Sequence, residues 1–351
     1  MRKVLVIGCG GISGRWIEAL ISGTGAELMG LLDLDLRRAE GRKKEFQLTV
    51  PVFTDIGEAV RTLDVDTAAV LTPPDMHLPV SRTCLEKGLD VLCEKPLAGT
   101  MKDAREMLRL SETCKKRILV MQNRRYLSGI RKLRELIDHG AVGDVTMVHA
   151  EMLLGAHFGK EDFRYHMAHP LLLDMLVHTI DEARYILHDR EIRSAYCQEF
   201  HPKDSWYEGD AGAVLIFETM DGAVISIRGS WVSHAENTSS NGRWHIAGTK
   251  GAVLWDGKEQ LFVSGIQPVP GDAGYFEEEG IREAQDIPEI GRTEHRGCID
   301  AMLQALTDGS SLDTECFRNI HTLELVFACL KSSAEGRKVL IRELQAPDRR
   351  C

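Results

Sequence analysis

The sequence predicts an α/β domain with a doubly wound parallel sheet, followed by an α+β domain whose open, mostly antiparallel sheet carries helices on one face. Strand-like and helix-like segments alternate up to residue 122, and a glycine-rich turn separates the first strand from the first helix. Beyond residue 122 the strands show period-2 alternation with Asp-Gly turns. A chain of 351 residues fits two domains, which we assign to residues 1–122 and 123–351.

The first domain is predicted from apolar runs that alternate with helical spacing, a pattern typical of a parallel sheet with right-handed crossovers. The predicted strands are 3–8, 27–33, 52–53, 68–71, 91–93 and 118–121. The predicted helices are 13–22, 36–45, 56–62, 79–87 and 101–114.

The second domain is predicted from longer strands and a strong amphipathic helix over 171–188. The other predicted helices are 128–139, 296–306 and 314–335, and the strands are 145–152, 212–217, 223–229, 243–247 and 252–255. Asp221-Gly222 and Asp256-Gly257 predict tight hairpins. Residues 266–292 combine Pro, Gly and several Glu with few apolar positions, so we expect a long loop there.

Composition excludes several classes of protein. The net charge of −10 argues against a nucleic-acid partner, and no apolar run reaches the length of a membrane span. The nine cysteines are scattered and none forms a C-x-x-C pair. We therefore expect a cytoplasmic protein without a metal site.

The segment Gly8-Cys9-Gly10-Gly11-Ile12-Ser13-Gly14 predicts a dinucleotide-binding loop. Its glycines permit a tight turn and close backbone approach to a pyrophosphate, which the start of the following helix can bind. Ser13 replaces the usual third Gly or Ala. Asp33, at the end of the next strand, is spaced to bind a ribose and favours NAD. Arg37 and Arg38 leave NADP open, or else they are solvated charges on the following helix.

Two further segments carry candidate catalytic groups. Lys95, in Glu94-Lys95-Pro96, follows a predicted strand, where an ammonium can stabilise developing alkoxide charge. Asp174, His178 and Asp181 share one face of a predicted helix, where a carboxylate can orient an imidazole that accepts a proton.

These motifs, with Thr72-Pro73-Pro74-Asp75-Met76-His77 and the C-terminal 332–339 segment, resemble the Gfo/Idh/MocA family of sugar and polyol dehydrogenases. The resemblance covers about residues 3 to 340 and implies a Rossmann domain, an NAD cofactor and a carbohydrate or polyol substrate. It implies catalysis by Lys95 and His178 with support from Asp174. The implied cofactor-binding residues are Gly8, Gly10, Gly11, Ile12, Ser13, Asp33, Thr72, Pro73, His77, Glu94 and Lys95. The second sheet is expected to form a homo-oligomer, a dimer or a tetramer.

Two segments depart from the family pattern. His169-Pro170 stands where glycines are usual, and His169 either reaches the substrate or shapes the loop. Arg164 stands near a usual Trp-Arg pair and is predicted to contact cofactor or substrate, or else to be a loop residue in water. Alternatives to a dehydrogenase are an NAD-dependent glycosidase, a non-catalytic nucleotide or sugar sensor, and a reductase of a non-sugar.

Overall fold

A computed structural model describes residues 1–23, 25–267, 277–289 and 291–345. The strands are β1 (Arg2–Ile7), β2 (Ala26–Leu32), β3 (Val52–Phe53), β4 (Thr67–Val70), β5 (Asp90–Cys93), β6 (Ile118–Val120), β7 (Val145–Leu153), β8 (Ile192–Phe200), β9 (Gly212–Thr219), β10 (Val224–Ser230), β11 (Arg243–Gly248), β12 (Gly251–Trp255), β13 (Leu261–Gln267), β14 (Glu277–Ala284) and β15 (Val339–Leu340).

The helices are α1 (Ser13–Ser22), α2 (Leu36–Glu45), α3 (Ile56–Thr62), α4 (His77–Glu86), α5 (Met101–Cys114), α6 (Ser128–Asp138), α7 (Phe163–His166), α8 (Val177–Ile186), α9 (Glu294–Asp308), α10 (Cys316–Glu335) and α11 (Arg342–Gln345). Short 3-10 turns lie at Pro74–Met76 and Asn123–Tyr126, and a π-helical segment at Leu171–Leu176. No helix among the described residues is long and apolar enough to cross a membrane.

The first compact unit comprises Met1–Tyr126 and Gly291–Leu323. Its six strands are parallel in the order β3-β2-β1-β4-β5-β6, which confirms the predicted doubly wound sheet. The central strands are buried on both faces, as expected where helices cover a parallel sheet.

The return of residues 291–323 to the first unit differs from the prediction, which assigned everything after residue 122 to the second domain. Helix α9 packs Cys298, Ile299 and Met302 into the same core as Trp16 and Leu20 of α1. The burial of these apolar side chains of α9 therefore places residues 291–323 in the first unit. Their position late in the sequence does not indicate this.

The second unit comprises the described residues of 127–290 and those from Glu324 onward. Its nine strands follow the order β14-β13-β12-β11-β7-β10-β9-β8-β15, and all neighbours are antiparallel except β7 and β10. Asp221-Gly222 joins β9 to β10 and Asp256-Gly257 lies between β12 and β13, as predicted.

The predicted long loop over 266–292 is wrong in part. Strand β13 runs to Gln267, and Glu277–Ala284 forms the edge strand β14, which pairs antiparallel with β13. A charged sequence is compatible with an edge strand, because natural sheets use charges to protect their edges. Residues 268–276 and 290 of the predicted loop lie outside the described residues.

The predicted single α-helix over 171–188 is also corrected. The chain forms a π-helical segment over Leu171–Leu176 and becomes α-helical only at Val177. Asp174 lies in the π segment and His178 in the α-helix, so the 100° periodicity used for the prediction does not hold between them. Such π segments occur frequently at functional sites.

Gly129 on α6 provides a test of packing in the second unit. A Cβ there would overlap the ring of Trp255, which is 4% exposed. Gly129→Ala is expected to lower the free energy of unfolding by about 1–3 kcal/mol, because a buried indole must shift. Urea denaturation would measure the change.

Gly41→Ala on α2 is the matched control, because no described atom lies within 4 Å of its added Cβ. This substitution should raise the free energy of unfolding by roughly 0.4–1 kcal/mol through the entropy of the unfolded chain. Equal effects at the two glycines would contradict the packing argument.

His295 on α9 gives the first unit a defined acid sensitivity. Burial, assisted by the charges of Arg15, Lys95 and Arg124, lowers the pKa of His295 to about 4. The unfolded chain, with a pKa of about 6.5, binds the proton more readily, so stability falls as the pH drops from there toward 4. The loss should amount to up to about 3 kcal/mol.

His295→Gln should remove this share of the acid sensitivity, measured as the difference in unfolding free energy between about pH 7 and about pH 4. His139→Gln, at the exposed end of α6, serves as the control and should keep it. The same pH dependence in the wild type and in His295→Gln would refute the assignment.

Candidate functional site

Three segments with candidate chemistry leave the same edge of the first sheet side by side. Ile7 at the end of β1 is in register with Val70 of β4, and Val70 with Cys93 of β5. The glycine loop, Thr72-Pro73 and Glu94-Lys95 follow these three strands. The carboxyl edge of a parallel sheet, where they lie, is the usual ligand site of such folds.

The glycines of the loop have different tasks. Gly8 has a φ of +99°, and a Cβ there would lie 2.8 Å from the carbonyl oxygen of Leu71, so only glycine lets β1 pass so close to β4. Within the described part of the chain, no atom lies within 4 Å of a Cβ added at Gly10 or Gly11. This open space would let a pyrophosphate approach the backbone.

The first turn of α1 and Asp33 fit a dinucleotide. Among the described residues no side chain caps α1, whose N-cap residue is Ile12. Asp33 accepts hydrogen bonds from the backbone N–H groups of Cys9 at 2.8 Å and Asp35 at 2.9 Å, one on each carboxylate oxygen. A second acceptor position remains on each oxygen for ribose hydroxyls.

The two arginines that left NADP open lie at the start of α2. Arg37 forms a two-point ion pair with Asp35, with both nitrogen–oxygen distances at 3.0 Å, on an exposed surface. Because its guanidinium is paired with Asp35 at the surface, Arg37 fits the alternative of a solvated helix charge better than a contact with a 2′-phosphate.

Glu94 acts as a structural anchor beside Lys95. The residue is 6% exposed, and its carboxylate accepts hydrogen bonds from the Trp16 indole N–H at 2.6 Å and from the Lys95 backbone N–H at 3.0 Å. Through these two hydrogen bonds Glu94 connects the backbone of Lys95 to α1, the helix that begins at the glycine loop. The Lys95–Pro96 peptide bond, next in the chain, is cis.

His77 does not expose its ring to a ligand, in contrast to the predicted role in lining the cofactor site. The side chain is fully buried, with Nδ1 2.8 Å from the carbonyl oxygen of Pro96 and Nε2 2.8 Å from that of Thr72. Burial lowers the pKa of His77 despite these carbonyls. A neutral imidazole carries one N–H and donates to only one of these carbonyls, so the buried ring bonds one of the loops that carry Thr72 and Lys95 and packs against the other.

In the second unit, Arg164 lies against a predicted catalytic residue. Its Nε donates to a carboxylate oxygen of Asp174 at 2.6 Å, and its Nη1 lies 3.3 Å from Asp162. The guanidinium also lies over the rings of Phe158 and Phe163. Arg164 thus holds the Asp174 carboxylate, and its predicted contact with cofactor or substrate stays a prediction.

His178 and His169 occupy different environments in the same unit. His178 is 8% exposed and is the second residue of α8, directly after the π segment. Nδ1 of His169 lies 3.0 Å from Glu199, whose carboxylate is almost fully buried, and this hydrogen bond raises the pKa of His169. The described residues contain no group of three His, Cys, Asp or Glu side chains that could hold a metal ion.

Trp16 and Glu199 were missed by the sequence reasoning, and no local pattern would have revealed them. Trp16 is 78 positions from Glu94 and fits the apolar face of α1 equally well. Glu199 is 30 positions from His169, on a strand that the sequence did not predict.

Comparison with known proteins agrees with this geometry. Residues 2–122 match a family described as "Oxidoreductase family, NAD-binding Rossmann fold", and residues 130–254 match the "GFO/IDH/MocA C-terminal domain". An uncharacterized protein, y4oX, from Sinorhizobium fredii is 26% identical over 97% of this chain and 96% of its own length. The inositol 2-dehydrogenase/D-chiro-inositol 3-dehydrogenase of Lacticaseibacillus casei is 30% identical, over 53% of each chain.

A solved structure shares the fold over nearly the whole chain. An oxidoreductase from Agrobacterium radiobacter, crystallised with NAD+, L-tartaric acid and magnesium, matches with a TM-score of 0.86 and 20% identity, over 98% of this chain and 99% of that one. The two family matches show that the chain belongs to the Gfo/Idh/MocA family of NAD-binding oxidoreductases, and the loop geometry agrees with this assignment.

Proposed function

We propose that this protein is an NAD(H)-dependent dehydrogenase acting on a hydroxyl or carbonyl group of a sugar, a polyol or a close derivative. Relatives carry names of this kind, including the inositol dehydrogenase above and a 1,5-anhydro-D-fructose reductase from Ensifer adhaerens that is 29% identical over 54% of this chain and 57% of its own length. The chain spans about half the length of these two relatives, so the substrate class is part of the proposal.

The observation that carries the proposal is the position of Lys95. It follows a strand two places from β1, at the edge where the glycine loop begins. Its backbone is held by Glu94, and the buried ring of His77 packs between the carbonyls of Pro96 and Thr72. An ammonium at such a position suits charge stabilisation on a reacting oxygen.

Bound NAD would supply the hydride acceptor, or as NADH the hydride donor, for this reaction. In the proposed mechanism Lys95 donates a hydrogen bond to the reacting oxygen and stabilises its negative charge. His178 takes the hydroxyl proton in the oxidative direction and returns it in the reductive direction. Asp174, held by Arg164, supplies the carboxylate that supports this pair.

Lys95→Met and His178→Asn are expected to lower turnover about 10²–10⁴-fold, because each removes a group that acts on the reacting oxygen. NAD binding, measured by calorimetry, should remain near the wild-type level. Turnover would be followed as NADH absorbance over a panel of polyols and aldoses.

Lys102→Met on α5 and His139→Asn at the end of α6 are controls that remove an exposed Lys and an exposed His. Wild-type turnover in both Lys95→Met and His178→Asn would refute the mechanism. Release of aryl alcohol from aryl glycosides without added NAD would instead indicate a glycosidase, and NAD binding without turnover of any substrate would favour a sensor.

We further propose that the outer face of the second sheet joins copies of the chain into a homo-oligomer. Met147, Val214, Ile216 and Val224 project from neighbouring strands and are 38–43% exposed. Side chains at alternate positions, such as Leu215 and Ile225, are buried in the core. Several large apolar side chains exposed on one face of a sheet are typical of a protein interface.

Val214→Lys combined with Ile216→Lys is expected to convert the oligomer into a monomer, because two charges would be buried in the proposed interface. Sedimentation velocity would measure the change. Phe317→Lys, at a residue that is 49% exposed on α10, is the control. A monomeric wild type, or an unchanged oligomer in the double variant, would contradict the proposal.

A further inference from the structure

Arg42 of α2 contacts the glycine loop through three hydrogen bonds that none of the roles assigned above uses. Its Nη2 donates to the carbonyl oxygen of Gly10 at 2.7 Å and to that of Gly11 at 3.3 Å. Its Nε donates to the Ser13 hydroxyl at 3.0 Å, and this hydroxyl donates to the Gly10 carbonyl at 2.6 Å. We call Arg42 and Ser13 the loop brace.

The loop brace explains why Ser13 departs from the usual Gly or Ala. Ser13 is fully buried, and its hydroxyl is satisfied as an acceptor from Arg42 and as a donor to Gly10. Alanine would fit the space but leave the Nε of Arg42 without this acceptor. Gly14 belongs to the same arrangement, because a Cβ there would lie 3.2 Å from Nη1 of Arg42.

The brace acts on the opposite side of the loop through peptide geometry. The Gly10 carbonyl shares a planar peptide unit with the N–H of Gly11, and the Gly11 carbonyl shares one with the N–H of Ile12. In a trans peptide the C=O and N–H groups point in opposite directions. A cation bonded to both carbonyls therefore fixes the two N–H groups away from itself and strengthens them as donors.

Those N–H groups lie at the start of α1, where Gly11 is exposed and a pyrophosphate is expected. We propose that Arg42 and Ser13 are positioning residues for the pyrophosphate of NAD, holding the peptide groups of Gly10–Ile12 in the orientation that binds it. The inference rests on NAD binding and is independent of the substrate. Glu45, with an oxygen 2.5 Å from Nη1 of Arg42, fixes the remaining side of the guanidinium.

The test compares a ligand that contains the pyrophosphate with one that lacks it. Arg42→Met should weaken ADP-ribose binding about tenfold or more, the effect of losing a charge-assisted hydrogen bond, and adenosine binding less than about twofold. Ser13→Ala should weaken ADP-ribose binding severalfold. The double variant should bind little more weakly than Arg42→Met, because both residues serve one brace.

Two variants separate the brace from general charge and from folding. Lys44→Met removes a cation from the same turn of α2, at an exposed side chain, and should leave ADP-ribose binding unchanged. Arg42→Lys keeps the charge but loses the forked geometry, so it should recover only part of the affinity. Melting temperatures without ligand would show whether each variant is folded.

Calorimetric dissociation constants decide the outcome without any measurement of activity. Equal weakening of ADP-ribose and adenosine would overturn the proposal in favour of a purely structural role. If Lys44→Met weakens ADP-ribose binding as much as Arg42→Met does, the effect is one of general positive charge and the proposal is overturned. Unchanged ADP-ribose binding in Arg42→Met would also overturn it. A protein that binds ADP-ribose normally but turns over no substrate would contradict the proposed dehydrogenase activity and leave the role of the loop brace standing.

Discussion

The close approach of β1 to β4 is the constraint on which the cofactor half of the site depends. Gly8 lies against the Leu71 carbonyl with no room for a Cβ, so the glycine loop leaves the sheet directly beside the Thr72 segment. Because β5 is the next strand, Lys95 leaves the same edge. Strand order therefore brings together residues that are far apart in the sequence, and the chemistry of each loop depends on this packing of backbones.

Buried polar bonds then fix the loops that the sheet brings together. Trp16 donates to Glu94, and His77 donates to one of the carbonyls of Thr72 and Pro96 and packs against the other. The side chains of Trp16, Glu94 and His77 are buried, where a lost hydrogen-bond partner costs more than at the surface. A site built this way keeps Lys95 in one place without requiring the lysine side chain itself to be buried.

The first sheet was predictable because its signals are local: apolar strands, helical spacing and a glycine turn each lie within a few residues. Strand β8 was not predictable. Its buried positions include Ala195, Cys197 and Glu199, so its buried and exposed residues do not alternate clearly between apolar and polar. The π segment at Asp174 carries ordinary helical residues, and sequence periodicity does not register it. Candidate site residues were identifiable by motif, whereas their partners are tertiary contacts.

The pairs Arg42–Ser13 and Arg164–Asp174 share a physical logic. In each, a guanidinium fixes a group expected to act on a ligand, and its fork of donors in one plane specifies orientation more strictly than an ammonium would. Lys95, in contrast, is a compact charge on a flexible stem, suited to following an oxygen whose charge changes during reaction. At these positions Arg is therefore found where a neighbouring group must be held in one orientation, and Lys where the cation must follow a change of charge on the reacting oxygen.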